Sequence, residues 1–228
     1  MTTYAFEPAP TPSVAIAGSA DRFPVRRIFC VGRNYAEHAR EMGMDDRDPP
    51  FFFTKPADAV VDSGATIPFP PLTANLHHEI ELVVAVGKGG ANIAADAALD
   101  HVFGYAVGID LTRRDLQFAA RDVGRPWDWG KAFDNSAPCG AVRPVAETGH
   151  PQQARIWLAV DGAIRQDSDI AELTWPVADI VAFASQSVAL APGDLIFTGT
   201  PAGVGALVSG QTVTGGVDGV GEISLTLA

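Results

Sequence analysis

The run Leu76-His77-His78-Glu79-Ile80-Glu81-Leu82-Val83-Val84-Ala85-Val86 constrains the fold more than any other segment of the chain. Side chains alternate across a strand, so Glu79, Glu81, Val83 and Ala85 share one face while Ile80, Leu82, Val84 and Val86 share the other. Both faces carry apolar residues, which reads as a strand buried on both sides. Two carboxylates held among apolar neighbours repel each other and lose their water, a cost that is removed if one is protonated or a cation neutralises them. A hard divalent cation with oxygen ligands is the economical answer. A Glu-x-Glu pair on a solvated strand face is the alternative, since water then does the same work.

A third carboxylate ends the apolar run Gly104-Tyr105-Ala106-Val107-Gly108-Ile109-Asp110, where a helical stretch begins. Taken alone, Asp110 reads equally well as a helix N-cap. Joined to Glu79 and Glu81 it completes three carboxylates on strands or strand ends, a set suited to Mg or Mn with positions left for water and substrate. His77 and His78 adjoin this set, but an oxygen-rich site does not require them.

Short apolar runs recur between Gly and Pro punctuation at residues 28–31, 51–53, 82–86, 105–109, 156–160 and 195–197, and these are expected strands. Asp161-Gly162 between two extended runs predicts a two-residue hairpin, because both positions tolerate positive φ. Helices are expected at roughly residues 35–42, 97–102, 113–123 and 177–187, the last opened by Pro176 at its first position. Strand therefore exceeds helix, and the expected fold is one domain of mixed β type, a β-rich α+β arrangement with peripheral helices. The proline-bearing residues 1–25 read as an N-terminal arm, and residues 26–228 as a single catalytic domain.

Composition limits the partners. Sixteen Lys and Arg against twenty-seven Asp and Glu leave a net charge of −11, a field that repels nucleic acid and anionic membrane. No apolar run approaches the ~18 residues of a membrane-spanning helix, and the amino end shows no positive region ahead of an apolar one. A cytoplasmic protein with a small-molecule partner is expected. Cys30 and Cys139 form neither a disulfide framework nor a CxxC thiolate site.

Further candidates lie around the acidic set. In Arg33-Asn34-Tyr35-Ala36-Glu37-His38-Ala39-Arg40-Glu41, His38 and Glu41 stand three apart on a short helix, so the carboxylate can orient the imidazole as a general base. An ordinary solvated helix carries the same spacing. Glycines at 32 and 43 would let this helix move as a lid. Arg114 and Gln117 share a helix face beginning near Asp110; the first offers a planar fork to a carboxylate, the second a hydrogen bond to a substrate oxygen. Lys131, between aromatics in Trp127-Asp128-Trp129-Gly130-Lys131-Ala132-Phe133-Asp134, is a candidate oxyanion stabiliser, although surface lysines beside aromatics are common. Arg33 and Lys55 are further cations placed for substrate, and the turn at Gly199-Thr200-Pro201 offers amides and a hydroxyl for a carboxylate.

Assembled in order from about residue 26, these pieces resemble the fumarylacetoacetate hydrolase family: Gly32-Arg33-Asn34-Tyr35 with His38 and Glu41, Phe53-Thr54-Lys55-Pro56, His77-His78-Glu79-Ile80-Glu81, Asp110 with Arg114 and Gln117, Gly130-Lys131-Ala132-Phe133, and Thr198-Gly199-Thr200-Pro201. The lid and the Trp127 stretch are similar to its acylpyruvate hydrolase branch. The resemblance implies a fumarylacetoacetate hydrolase-like fold with a short lid helix, a homodimer, Mg or Mn held by Glu79, Glu81 and Asp110, the family's dyad on His38 and Glu41, and its lysine at Lys131. It implies hydrolysis of a carbon–carbon bond in a 2,4-dioxo acid, with fumarylpyruvate of gentisate breakdown as leading substrate. The family also contains decarboxylases and isomerases with the same ligands, so an oxaloacetate decarboxylase stands as the alternative. A metal-containing binding protein without turnover would leave the coincidence of His38, Glu41 and Lys131 unexplained.

Overall fold

Strand Ile80–Val86 is buried along its whole length and lies in the middle of an eight-stranded sheet, where apolar residues on both its faces predict it. The computed structural model describes residues 2–35 and 49–228. Apart from Tyr35, the expected lid helix at 35–42 lies outside the described residues, and with it His38 and Glu41. Ile80–Val86 pairs antiparallel with Asp194–Phe197 on one side and with Val102–Ile109 on the other. Outward from Asp194–Phe197 come Arg27–Gly32 and Phe51–Lys55; outward from Val102–Ile109 come Ala137–Cys139 and Val60–Asp62.

The two faces of the central strand serve different cores. Ile80, Leu82, Val84 and Val86 join the larger one, which packs against the inner side of a five-stranded sheet through Ile156, Leu158, Val213 and Ile223, and against the helix Val177–Ser187 through Ile180, Val181 and Ala184. Val83 and Ala85 join a smaller core with Ile28, Cys30, Leu195 and Phe197, covered by Val14 and Phe23 from the paired strands Ser13–Ala15 and Arg22–Pro24. Each fully buried Leu, Ile or Val contributes ~1.5–3 kcal/mol, which holds the middle of the sheet rigid beneath whatever sits at its end.

All six expected strands are present. The hairpin Arg155–Val160/Ala163–Asp169 turns at Asp161 and Gly162 with φ of 50° and 80°, the mirror-type turn expected of that pair. Helix Val177–Ser187 has its expected bounds, but Pro176 is its extended N-cap residue rather than its first helical one. The stretch expected as a helix at 97–102 is a 3-10 segment, Ala95–His101. The helix expected at 113–123 runs Arg114–Asp122 with Arg113 at its N-cap, so Asp110 is not a cap and its carboxylate is available for other work. No described helix is long and apolar enough to cross a membrane.

Candidate active site

The register of the central strand pair brings two of the acids together. Ile80 stands opposite Ile109, so Glu79 and Asp110 are the next residues beyond the pair, and the Asp110 amide donates to the Glu79 carbonyl at 2.8 Å. Glu81, opposite Gly108, follows one step in. Carboxylate oxygens of Glu79, Glu81 and Asp110 all lie within 4.8 Å of one another, and all three residues are buried.

Among the described residues, three cations pair with two of these anions, Glu79 and Asp110. Lys131 Nζ donates to Glu79 Oε2 at 2.9 Å, to Asp110 Oδ2 at 2.6 Å and to Thr112 Oγ1 at 2.6 Å, so all its hydrogens are engaged. Arg114 pairs with Glu79 Oε1. Lys55 Nζ lies 2.8 Å from Asp110 Oδ1, yet its hydrogens are aimed at the carbonyls of Leu111 and Lys131, and Asp110 Oδ1 has no aligned donor. Burial alone would lower the Lys131 pKa, but the charges of Asp110 and Glu79 raise it on balance.

Glu81 is different. It accepts one hydrogen bond, from the Gly199 amide at 2.7 Å, and forms no ion pair among the described residues. Burial, followed by the charges of Asp110 and Glu79, pushes its pKa well above the usual carboxylate range. Gly199 holds this contact at φ 98°, a conformation that L side chains rarely adopt, with Asn34 Cβ where a side chain would begin. An open lone pair on a buried Asp110 oxygen and a buried carboxylate short of partners fit an all-oxygen site for a hard cation. His77 and His78 stay outside the cluster: burial, then the Arg114 charge, lowers His77 to about 4, and burial lowers His78.

Glu79, Glu81, Asp110, Arg33, Arg114, Gln117, Lys131 and Thr200 all line one pocket, together with the aromatic side chains of Phe51, Phe53 and Trp127. Gln117 Oε1 accepts from Arg114 Nη1 at 2.5 Å, so the two share a helix face as their spacing predicts. Arg33 stacks over Phe51 at 4.8 Å and Lys131 over Phe53 at 4.9 Å. Lys55, expected as a substrate contact, is buried and absent from the pocket lining, with its Nζ beside Asp110 Oδ1.

Two contributors were not singled out from the sequence. Asn34, fully buried, donates to the carbonyls of Trp175 and Thr198 and accepts from the Trp175 amide, tying the Arg33 segment to the strand end that carries Thr200. Gln166 bonds Thr200 from the neighbouring hairpin. Both contacts span more than thirty residues, so the sequence pattern that contains Asn34 does not reveal its partners and nothing local marks Gln166.

The fumarylacetoacetate (FAA) hydrolase C-terminal family model matches residues 27–228. The chain belongs to the fumarylacetoacetate hydrolase family. Among curated members of that family, a fumarylpyruvate hydrolase of a Ralstonia species is 48% identical over 177 residues, 78% of this chain and 92% of the relative. A mitochondrial oxaloacetate tautomerase of Rattus norvegicus is 39% identical over 195 residues, 86% of this chain and 88% of the relative. The crystal structure of a fumarylpyruvate hydrolase from Pseudomonas aeruginosa in complex with Mn2+ and pyruvate superposes with a TM-score of 0.96 at 55% identity, covering 99% of each chain. In this family member the acidic cluster is one that can hold a divalent metal.

Proposed function

We propose that the protein hydrolyses a carbon–carbon bond in 2,4-dioxo acids, converting fumarylpyruvate to fumarate and pyruvate. The observation that carries the reading is the convergence of Glu79, Glu81 and Asp110 on the floor of a pocket lined by Arg33, Arg114 and Lys131. The Pseudomonas relative, with Mn2+ and pyruvate in its structure, supports it. Bound by the three carboxylates, Mg or Mn supplies a Lewis acid for the 2-oxo acid end of the substrate. Among the described residues, Lys55, Arg114 and Lys131 equal the three carboxylates in number, so two further positive charges would favour an anionic ligand such as a dicarboxylate.

Arg114, Gln117 and Thr200 hold the pyruvoyl end, and Arg33 beside the aromatic wall faces the acyl end. His38, oriented by Glu41, takes a proton from water, and the water oxygen attacks the distal carbonyl. Lys131 stabilises the oxyanion by giving up one of its three hydrogen bonds. The bond between carbons 3 and 4 then breaks: the hydroxyl stays with the fumaryl carbon, and the pyruvate enolate takes a proton at carbon. Residues 26–228 form the catalytic domain behind an arm at 1–25. A role in gentisate breakdown and a homodimer are carried by the family resemblance, and a cytoplasmic location is proposed with them.

The tautomerase relatives favour one second reading, action on oxaloacetate. Both substrates, offered in 18O-labelled water with Mg or Mn and followed by mass spectrometry, separate the two. Fumarate carrying one labelled oxygen together with unlabelled pyruvate carboxylate is expected. Turnover of oxaloacetate without cleavage of fumarylpyruvate would overturn the proposal.

A further inference from the structure

We infer that Gln166 is a positioning residue that fixes the polarity of the Thr200 hydroxyl, making it a hydrogen-bond donor to an anionic ligand in the pocket. The Gln166 side chain is 1% exposed, and its amide uses its full capacity. Oε1 accepts from the Ile80 amide at 3.1 Å and faces His78 Nδ1 at 3.0 Å; Nε2 donates to the Pro201 carbonyl at 2.8 Å and to Thr200 Oγ1 at 2.8 Å. The Ile80 N–H can only donate and the Pro201 carbonyl can only accept, so these two partners settle which end of the amide is oxygen. Two consequences follow. His78 Nδ1 must carry the proton, and Thr200 Oγ1 must accept from Gln166.

A hydroxyl that accepts from a fixed donor keeps its own proton for another partner. Thr200 is 3% exposed, lines the pocket beside Glu79, Glu81 and Lys131, and makes no other hydrogen bond among the described residues. Its proton is therefore presented to the pocket, where a carboxylate oxygen can accept it. Gln166 never touches that ligand. It lies on the hairpin strand Ala163–Asp169, fastened to the first residue of the strand that carries Glu81, so it holds Thr200 in register with the acidic cluster.

This rests on the reading that the pocket binds the pyruvoyl end of a dioxo acid, and the experiment separates the two claims. Pyruvate binding to the Mn2+-loaded protein is measured by calorimetry, alongside fumarylpyruvate kinetics, for the wild type, Gln166→Glu, Thr200→Val and the double variant. A glutamate at 166 accepts where the amide donated, so Thr200 turns its proton away from the pocket. Gln166→Glu and Thr200→Val are each expected to weaken pyruvate binding and raise KM on the order of tenfold, as loss of one hydrogen bond to a charged group does. Mn2+ affinity is expected to stay within about twofold and the double variant to be no worse than either single one, because both act through one hydroxyl. Unchanged pyruvate binding in Gln166→Glu, or effects that multiply in the double variant, would overturn the inference. If Gln166→Glu does not fold, Gln166→Met, which removes both donor hydrogens at similar length and leaves the Thr200 hydroxyl free to rotate, is expected to weaken pyruvate binding by less than Thr200→Val does; pyruvate binding equal to wild type would overturn the inference. A wild type that binds pyruvate without cleaving fumarylpyruvate would end the substrate reading and leave the Gln166 test intact.

Discussion

Asp110→Ala is expected to abolish divalent-metal binding and hydrolysis and also to destabilise the metal-free fold by about 3–5 kcal/mol, the cost of stranding buried charges. Lys55 and Lys131 both lean on this carboxylate at 2.8 and 2.6 Å, and both are buried, so removing it leaves two ammonium groups without their shared anion. Glu81→Gln is expected to differ: metal is lost, but the metal-free protein is no less stable, since among the described residues Glu81 has no cation to strand. The pH dependence gives the sign. The folded pKa of Glu81 is raised above its unfolded value, so its favourable contribution is complete below the ordinary glutamate range and is lost as pH rises through the folded pKa. Thermal melting in EDTA between about pH 5 and about pH 8 should therefore show Glu81→Gln gaining on wild type as pH rises. An Asp110→Ala protein as stable as wild type would refute the charge assignments.

His38→Ala is expected to keep metal and fold while losing hydrolysis by ~10²–10⁴-fold, the range for removing a general base. His38 lies outside the described residues; its spacing from Glu41 and the family pattern assign it the role. Calorimetric Mn2+ binding and steady-state turnover on the same preparation separate the roles: unchanged affinity with lost turnover is expected. Full turnover in His38→Ala would remove the water-activating role.

The acidic pair was legible in the sequence because period-two alternation places Glu79 and Glu81 together while leaving apolar residues on both faces, and the strand is indeed buried throughout. Asp110 was ambiguous for a physical reason. Its identity as cap or site residue depends on the Ile80–Ile109 register and on where the next helix starts, and neither is a local property of the chain. Lys55 shows the same limit: a cation at a strand end does not reveal its neighbours, and only tertiary packing sets it beside Asp110. Gln166 carried no signal, being one polar residue in a hairpin strand whose neighbours are exposed and charged. Local pattern thus reveals which residues share a face, whereas long-range pairing decides what that face meets.

The most direct test of the central claim is a Mn2+ titration of the metal-free protein followed by electron paramagnetic resonance, with Glu81→Gln measured in parallel. One tightly held ion per chain in the wild type, its affinity rising with pH as Glu81 gives up its proton, and none in the variant, is the predicted result. Equal binding by both proteins would contradict the account, because the ion would then be held by something other than these three carboxylates.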